Sequence, residues 1–276
     1  MTSQERYLQA SFDQARQLTQ SFSTSFGWSI TLIDKELRPA IYAIYGMVRL
    51  ADEIVDTHFP DEEPEAELKR FEAELWRAIE KKYSRDPILH AFQHVYHAYS
   101  LRRETVEWFI SSMAMDLEPV VYDEKLYRQY IRGSAEAVGL MCLSVFGRGN
   151  QDFYTKNEKG AQALGSAFQK VNFLRDMGDD FHERGRTYFP GVKPGGLTVL
   201  QKRAIEDDVE TEYAAARSYV RALPPEARRG VALALAYYEE LLDEIRPLSP
   251  EELMRKRVSV PNGRKLALYL RARMLG

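Results

Sequence analysis

The sequence contains a single cysteine, Cys142, among its 276 residues. One thiol excludes an internal disulfide and a zinc site built on cysteines, and its apolar surroundings, LMCLSVF, favour a buried, unreactive side chain. No stretch reaches the roughly 18 uncharged apolar residues that a membrane span needs. The polar amino-terminal segment also lacks the apolar core of a signal peptide. We therefore expect a cytoplasmic protein.

The sequence also has no large excess of either positive or negative charge. The 38 basic side chains are offset by 41 acidic ones, for a formal net charge of −3, and apolar residues make up 45% of the chain. This balance is that of an ordinary soluble globular protein, without the basic excess of a nucleic-acid-binding protein. Patterns of period two, which would indicate strands, do not persist. The sequence therefore predicts an all-α protein of about ten helices, in a single domain over residues 1–276.

Polar side chains run through an otherwise apolar helical pattern in residues 164–190, LGSAFQKVNFLRDMGDDFHERGRTYFP. They recur at spacings of three and four, so they share one side of a predicted helix that follows a loop at 147–157 and ends near Glu183 or Arg184. The residues of this stripe are Gln169, Asn172, Asp176, Asp179 and Asp180. Carboxylates embedded among apolar residues need partners.

A second acidic face occurs in residues 40–59, AIYAIYGMVRLADEIVDTHF, within a helix predicted from residue 34 or 35 to residue 54 or 55. Here Arg49, Asp52 and Asp56 lie at positions i, i+3 and i+7 of one helical side. Like charges four residues apart destabilise a helix by roughly 0.2–0.5 kcal/mol, so two such faces are unfavourable unless a cation neutralises them. Mg²⁺ is the natural candidate, because it prefers oxygen ligands and completes its shell with substrate phosphates.

Helical periodicity predicts further helices at 4–22, 65–82, 86–99, 102–117, 124–146, 206–222, 225–246 and 249–257. Within 124–146, the small residues from Gly133 to Gly139 predict that another helix or a long, thin ligand approaches the backbone closely. Tyr130 precedes this run with a hydroxyl able to reach a polar site. Phe22 and Phe26, in SFSTSFGWS, either line the mouth of an apolar pocket or pack a helix junction.

Two segments could close over or extend the acidic stripe. The glycine- and proline-rich segment 185–196, GRTYFPGVKPGG, is predicted to be a flap that brings Arg186 and Tyr188 over the stripe. From Leu253 to Gly276 the chain has seven Lys or Arg residues and no acidic residue. This basic end could meet diphosphate or an anionic membrane surface, and composition alone equally allows a solvated basic helix.

Two acidic faces with arginines nearby suit a diphosphate, whose charge must be neutralised as it leaves. The arginines closest in sequence are Arg49, Arg175 and Arg186. The other side chains around both faces are aromatic or aliphatic, so the group left behind is expected to be apolar. Ionisation of an allylic diphosphate leaves a carbocation, which aromatic faces stabilise and water would quench. The pattern predicts prenyl-diphosphate chemistry.

The segments that carry this pattern resemble the two signature regions of the squalene/phytoene synthases. That family has Asp-x-x-x-Asp in the first region, matched by DEIVD at 52–56. The second, Gln-x-x-Asn-x-x-x-Asp-x-x-x-Asp followed by Gly-Arg-x-Tyr-x-Pro, is matched within 164–190. SFSTSF, YIRGSAEAVG, YYEELLDEI and RVSVPNGRKL are also similar to family segments. The resemblance covers nearly the whole chain and implies an isoprenoid-synthase-type helical bundle with a central apolar cavity.

The resemblance also implies roles for individual residues. Mg²⁺, or Mn²⁺ in its place, and the diphosphates would be held by Asp52, Glu53, Asp56, Asn172, Asp176 and Asp180. Glu53 stands where many members have aspartate and keeps the carboxylate. Phosphate contact and steering of the ionisation would come from Arg49, Tyr130, Gln169, Tyr238 and Arg257. Further substrate contacts would come from Phe22, Phe26, Tyr45, Arg175, Arg186 and Tyr188.

The activity that the resemblance implies is head-to-head coupling of two prenyl diphosphates through a cyclopropylcarbinyl diphosphate. We expect phytoene from two geranylgeranyl diphosphates, the first step of carotenoid biosynthesis, without NADPH. Dehydrosqualene or squalene synthesis from two farnesyl diphosphates is the alternative. A terpene cyclase, a head-to-tail chain elongator and a catalytically inactive helical scaffold are the remaining alternatives. Because substrates and product are lipids, we expect peripheral contact with the inner face of the cell membrane.

Overall fold

The computed structural model of the chain describes residues 1–57, 63–117, 122–192 and 196–274, with Thr24, Glu183 and Arg184 described by their backbone alone. No strand occurs in these ranges, which confirms the predicted all-α class. The helices are α1 Ser3–Phe22, α2 Thr24–Thr31, α3 Arg38–Asp56, α4 Pro64–Lys81, α5 Pro87–Ala98, α6 Arg103–Met115, α7 Glu124–Ile131, α8 Ala137–Phe146, α9 Gln151–Arg175, α10 Met177–Arg184, α11 Val199–Ala222, α12 Pro225–Ile245, α13 Pro250–Leu253 and α14 Asn262–Met274.

Capping residues explain two helix starts that hydrophobic periodicity did not predict. The Ser23 side chain accepts a hydrogen bond from the Phe26 backbone N–H, so α2 begins where only an aromatic segment was expected. The Asn150 side chain accepts likewise from the Phe153 N–H, and α9 begins at Gln151. The predicted loop at 147–157 is therefore wrong in length, because a side-chain cap starts the helix inside it.

The helix predicted over 124–146 is interrupted by a π-helical turn at Arg132–Glu136. Gly133 explains why this turn fits, because a Cβ atom there would collide with the Trp108 carbonyl and the Ser112 side chain of α6. A Cβ on Gly139 would lie 3.1 Å from the Ala161 carbonyl of α9. The small residues of this segment thus let two neighbouring helices approach its backbone.

The predicted helix through Glu183 or Arg184 is broken at Asp176, which separates α9 from α10. The Arg175 carbonyl accepts a hydrogen bond from the Val258 N–H at 3.3 Å. The carboxyl-terminal segment that includes Met254 and Val258 can approach this closely because Gly178 has no side chain. A Cβ atom at Gly178 would lie 2.6 Å from the Met254 carbonyl. The polar stripe from Gln169 to Asp180 therefore lies on two helices, α9 and α10, rather than on one continuous helix.

The basic end also differs from the predicted helix at 249–257. Helix α13 covers only Pro250–Leu253, an irregular segment passes beside Arg175, and the chain then forms α14. None of the helices in the described ranges combines the length and apolarity that a bilayer crossing requires.

The core encloses the long helix α9, which packs against α8, α11, α12 and the π-helical turn. Helix α3 packs against α1, α5 and α8 and forms a second layer with them. A cavity remains between these two layers, and α2 and α12 pack together to form its remaining wall. The carboxyl ends of α3 and α9, which carry the two predicted acidic faces, lie at one end of this cavity.

Candidate active site

An apolar cavity with a volume of about 320 Å³ runs between α2, α3, α8, α9 and α12. Along α9 its lining extends from Ala161 to Asn172, a rise of about 16 Å at 1.5 Å per residue. Gln169, Asn172, Tyr45 and Tyr238 lie at one end. The opposite end is apolar. This form is the predicted central apolar cavity.

Small residues of the π-helical turn and α8 open the cavity on one side. Ser134, Ala135 and Gly139 line it, together with Gly165 of α9. Cys142 lines its apolar end, although the sequence predicted a core position. Burial raises the pKa of the Cys142 thiol to about 12, which keeps it protonated and unreactive as expected. The run of small residues therefore serves both helix packing and access to the backbone from the cavity.

Arg49 organises the carboxylates at the end of α3. Its guanidinium lies 2.6 Å from the Asp52 carboxylate, forms an ion pair with Glu53, and stands 4.1 Å above the centre of the Phe22 ring. Phe22 is about half exposed and does not line the cavity, whereas Phe26 does. The Arg49 Nε is buried, with no hydrogen-bond acceptor among the described residues. This group is therefore a buried donor that none of the described residues satisfies.

Arg186 joins the end of α3 to a buried polar cluster that the sequence did not predict. Its Nη1 atom lies 3.6 Å from an Asp56 carboxylate oxygen and 3.5 Å from an Asp116 carboxylate oxygen, and its Nη2 donates to the Asp116 carbonyl. Tyr130 and Tyr188 donate hydroxyl hydrogen bonds to the same Asp116 carboxylate, at 2.8 and 3.3 Å. Asp116 thus anchors three residues that were predicted to be functional.

Burial raises the pKa of Asp116 to about 6, and the Arg186 charge and the Tyr130 hydrogen bond oppose that shift. The side chain is nearly inaccessible to solvent, as are those of Tyr130 and Tyr188. Asp116 follows an apolar helix end, MAMD, and lies 60 residues from the nearest predicted acidic residue. No periodic pattern marks such a residue, so only the fold reveals it.

The acidic face of α9 is held by arginines from two directions. Arg175 Nε lies 2.8 Å from the Asp176 carboxylate, and Arg257 Nε, from the segment before α14, lies 2.7 Å from it. The Tyr238 hydroxyl donates a hydrogen bond of 3.1 Å to the Asn172 side-chain oxygen. The Tyr238 ring also stacks on Phe168 of α9, with ring centres 3.8 Å apart. These contacts place Arg257 and Tyr238 beside the α9 stripe.

Asp180 lies in α10, beyond the break at Asp176, and its backbone N–H donates a hydrogen bond of 2.8 Å to the Asp176 carbonyl. It is buried and lines a small pocket with Arg186, Tyr188 and Phe173. Residues 185–192 bring Arg186 to Asp56, and Tyr188 stacks on Phe173 at 4.2 Å. Positions 193–195 of the predicted flap lie outside the described residues.

The donor set is compatible with Mg²⁺ only if a substrate contributes ligands. Among the residues with a described placement, no three acidic, histidine or cysteine side chains are close enough together to hold an ion. Asp52, Asp56 and Asp176 are partly exposed carboxylates in contact with arginines. Because Mg²⁺ commonly takes one or two carboxylates and completes its shell with phosphates and water, these oxygen donors fit it.

Carboxylates and arginines thus lie at one end of an apolar cavity within an all-α fold, an arrangement that suits an anion with a long apolar group. The chain belongs to the squalene/phytoene synthase family, whose model matches residues 19–192. It is 29% identical to a phytoene synthase from Arthrospira platensis, covering 96% of this chain and 94% of the relative. It is 23% identical to a 4,4'-diapophytoene synthase from Staphylococcus haemolyticus, covering 95% and 96%.

The fold is also that of a solved structure described as a dehydrosqualene synthase in complex with ligand. The TM-score is 0.84 at 22% sequence identity, with 98% of both chains covered. This likeness confirms the isoprenoid-synthase-type fold that the resemblance implied.

Proposed function

We propose that this protein joins two geranylgeranyl diphosphates head to head to form phytoene, as a Mg²⁺-dependent prenyltransferase acting through residues 1–276 as one domain. The observation that carries the proposal is the 16 Å apolar cavity, estimated from the rise of α9, with arginine–carboxylate pairs at one end. Membership of the family supports the head-to-head reaction. The similarity to a phytoene synthase at 29% identity favours the longer substrate.

The polar end of the cavity would bind the diphosphates. Arg49 offers its buried Nε–H to a phosphate oxygen, and Arg175, Arg186 and Arg257 add positive charge near the departing group. Mg²⁺, when bound, would neutralise charge on the departing diphosphate. The residues that would hold it are Asp52, Glu53, Asp56, Asn172, Asp176 and Asp180.

The apolar part of the cavity would protect the reacting carbons from water. Phe26 and Tyr45, whose ring centres lie 5.9 Å apart, present aromatic faces to the cavity, where a carbocation is stabilised by the negative faces of the rings. Gln169 and Asn172 place polar side chains at the diphosphate end of the cavity, where Tyr45 also lies. Tyr130 would not contact substrate directly but would help to position Arg186, because both residues bind Asp116. Phe22 would likewise help to position Arg49, which packs over its ring.

The proposed reaction balances without a reductant. Ionisation of one substrate releases diphosphate, and attack by the double bond of the second, with loss of a proton, gives the cyclopropylcarbinyl diphosphate. Its ionisation, rearrangement and loss of another proton give the hydrocarbon and a second diphosphate. Squalene formation would replace that last proton loss by hydride transfer from NADPH.

The test is incubation with Mg²⁺ and either the C20 or the C15 diphosphate, with and without NADPH, followed by mass analysis of the extracted hydrocarbon. A C40 hydrocarbon from the C20 substrate without NADPH is the expected result. A C30 hydrocarbon from the C15 substrate alone would favour dehydrosqualene synthesis, which the Staphylococcus relative represents. A cyclic or linear diphosphate product, or no diphosphate release, would contradict head-to-head coupling.

A further inference from the structure

Helix α14 exposes an apolar stripe on its outer side. Leu266, Leu270 and Met274 lie four residues apart, and their exposed fractions are 47%, 45% and 78%. Spacing by four residues places them on one side of the helix. A surface helix normally directs polar residues to solvent there, so this stripe calls for an explanation.

The opposite side of α14 is already packed. The Tyr269 ring lies 5.5 Å from the Trp28 ring of α2, and the Tyr237 hydroxyl of α12 donates a 3.1 Å hydrogen bond to the Lys265 carbonyl. Contacts with α12 and α2 hold the helix against the protein. The exposed stripe is therefore a second apolar side, beyond what attachment to the protein requires.

Arginines flank this stripe. At 100° per residue, Arg273 lies beside Leu266 on one edge and Arg271 lies beyond Met274 on the other, and both are exposed. Arg264 is already paired with Glu240 and Glu244 of α12. No acidic residue occurs between residues 253 and 276. An apolar stripe with basic edges is the arrangement of a helix that lies in the interface of an anionic bilayer.

We propose that α14 docks this protein on an anionic lipid surface, with Leu266, Leu270 and Met274 inserted and Arg271 and Arg273 at the lipid headgroups. Charge favours lipid over a second copy of the chain, because pairing two α14 stripes would bring arginines together without acidic partners. Only the purpose of docking rests on the proposed function: contact with the bilayer would allow lipid substrates to enter and an apolar product to leave.

The position of α14 relative to the cavity is consistent with that use. Helix α2 packs Trp28 against α14 and lines the cavity with Phe26 and Ile30. Helix α12 likewise contacts α14 and lines the cavity with Val231 and Tyr238. The docking helix therefore lies on the outer side of the α2–α12 wall, so the docked protein has this wall next to the lipid.

Vesicle flotation of the full chain tests the proposal, using vesicles of phosphatidylcholine with phosphatidylglycerol and vesicles of phosphatidylcholine alone. We expect flotation with the anionic vesicles, weakened by salt. Two double variants, L266S/L270S and R271E/R273E, should each weaken binding. Loss of each arginine should reduce affinity about fivefold. Leu200→Ser is the matched control, because Leu200 is a 78% exposed leucine outside α14.

Folding and catalysis are measured separately. Circular dichroism should give the same helical content for every variant, and diphosphate release in detergent micelles should be unchanged, because α14 does not line the cavity. Failure of wild-type protein to float, unchanged binding by both double variants, or equal loss in Leu200→Ser would overturn the docking proposal. A dimer that L266S/L270S converts to a monomer in sedimentation would assign the stripe to a second copy. Absent diphosphate release with intact flotation would instead refute the proposed enzyme function.

Discussion

The Tyr130 hydroxyl donates a hydrogen bond of 2.8 Å to the carboxylate of Asp116, which is itself buried behind the end of α3. This contact connects a tyrosine that the resemblance placed in catalysis to Arg186, which lies between Asp116 and Asp56. The cluster makes the position of Arg186 depend on a residue that has no predicted role. Its consequences can be measured in stability as well as in activity.

Asp116 should impose a pH dependence on stability. Burial raises its pKa from 3.8 to about 6 in the folded protein, so the folded state holds this proton more tightly than the unfolded state. Stability from this group is therefore fully present below about pH 4 and is lost as the pH rises through 6, by roughly 3 kcal/mol in total. Urea unfolding of wild type and Asp116→Asn between pH 4 and 7, without metal, measures it.

The control for this measurement is Asp152→Asn, since Asp152 is an exposed residue of the first turn of α9. The free energy difference between wild type and Asp116→Asn should change with pH, and Asp152→Asn shows what removal of an exposed carboxylate does by itself. A pH-independent difference for Asp116→Asn would show that the carboxyl does not titrate in this range.

Asp52→Ala or Asp176→Ala should abolish turnover and leave the helical fold intact. Both carboxylates are partly exposed and paired with arginines, so their removal should change unfolding free energy by only about 1 kcal/mol. Loss of a metal and diphosphate ligand should reduce the rate by about a hundredfold to a thousandfold or more. Diphosphate release and circular dichroism are the measurements. Retained activity in either variant would refute its assignment as a ligand.

Gly178→Ala should weaken the contact between Arg257 and Asp176. The added Cβ would lie 2.6 Å from the Met254 carbonyl, which forces the segment before α14 away from α10. We expect a loss of about 1–3 kcal/mol in unfolding free energy and lower activity. Gly263→Ala is the control, because a Cβ there meets nothing within 4 Å. Equal stability of both variants would show that the segment moves at no cost.

Cys142→Phe should shorten the cavity at its apolar end. Cys142 lines that end, so the phenyl ring of the variant would occupy space that the last isoprene unit of a C20 chain needs. Competition between C20 and C15 diphosphates should then shift towards the C15 substrate, by about tenfold or more. Cys142→Ala, which keeps the cavity open, should retain the wild-type preference. An unchanged preference in Cys142→Phe would place the end of the substrate elsewhere.

Local patterns were enough to predict the all-α class and most helix positions, because a 3.6-residue apolar period is a local property of the chain. It also identified Arg49, Asp52, Asn172 and Asp176, since their spacings and motif residues are visible without coordinates. Their assignment to metal and diphosphate stays a prediction. The starts of α2 and α9 were missed because single capping side chains, Ser23 and Asn150, decide them.

Other features depend on contacts between distant parts of the chain, and these became visible only in the folded protein. At the break at Asp176, residues 254–258 pack against Gly178 and Arg175, a contact between segments about 80 residues apart. Asp116 becomes part of a polar cluster only because the segment after α10 places Arg186 beside it. The outer stripe of α14 is unusual only because its other side is packed. Each of these rests on contacts between residues far apart in sequence, which no local pattern encodes.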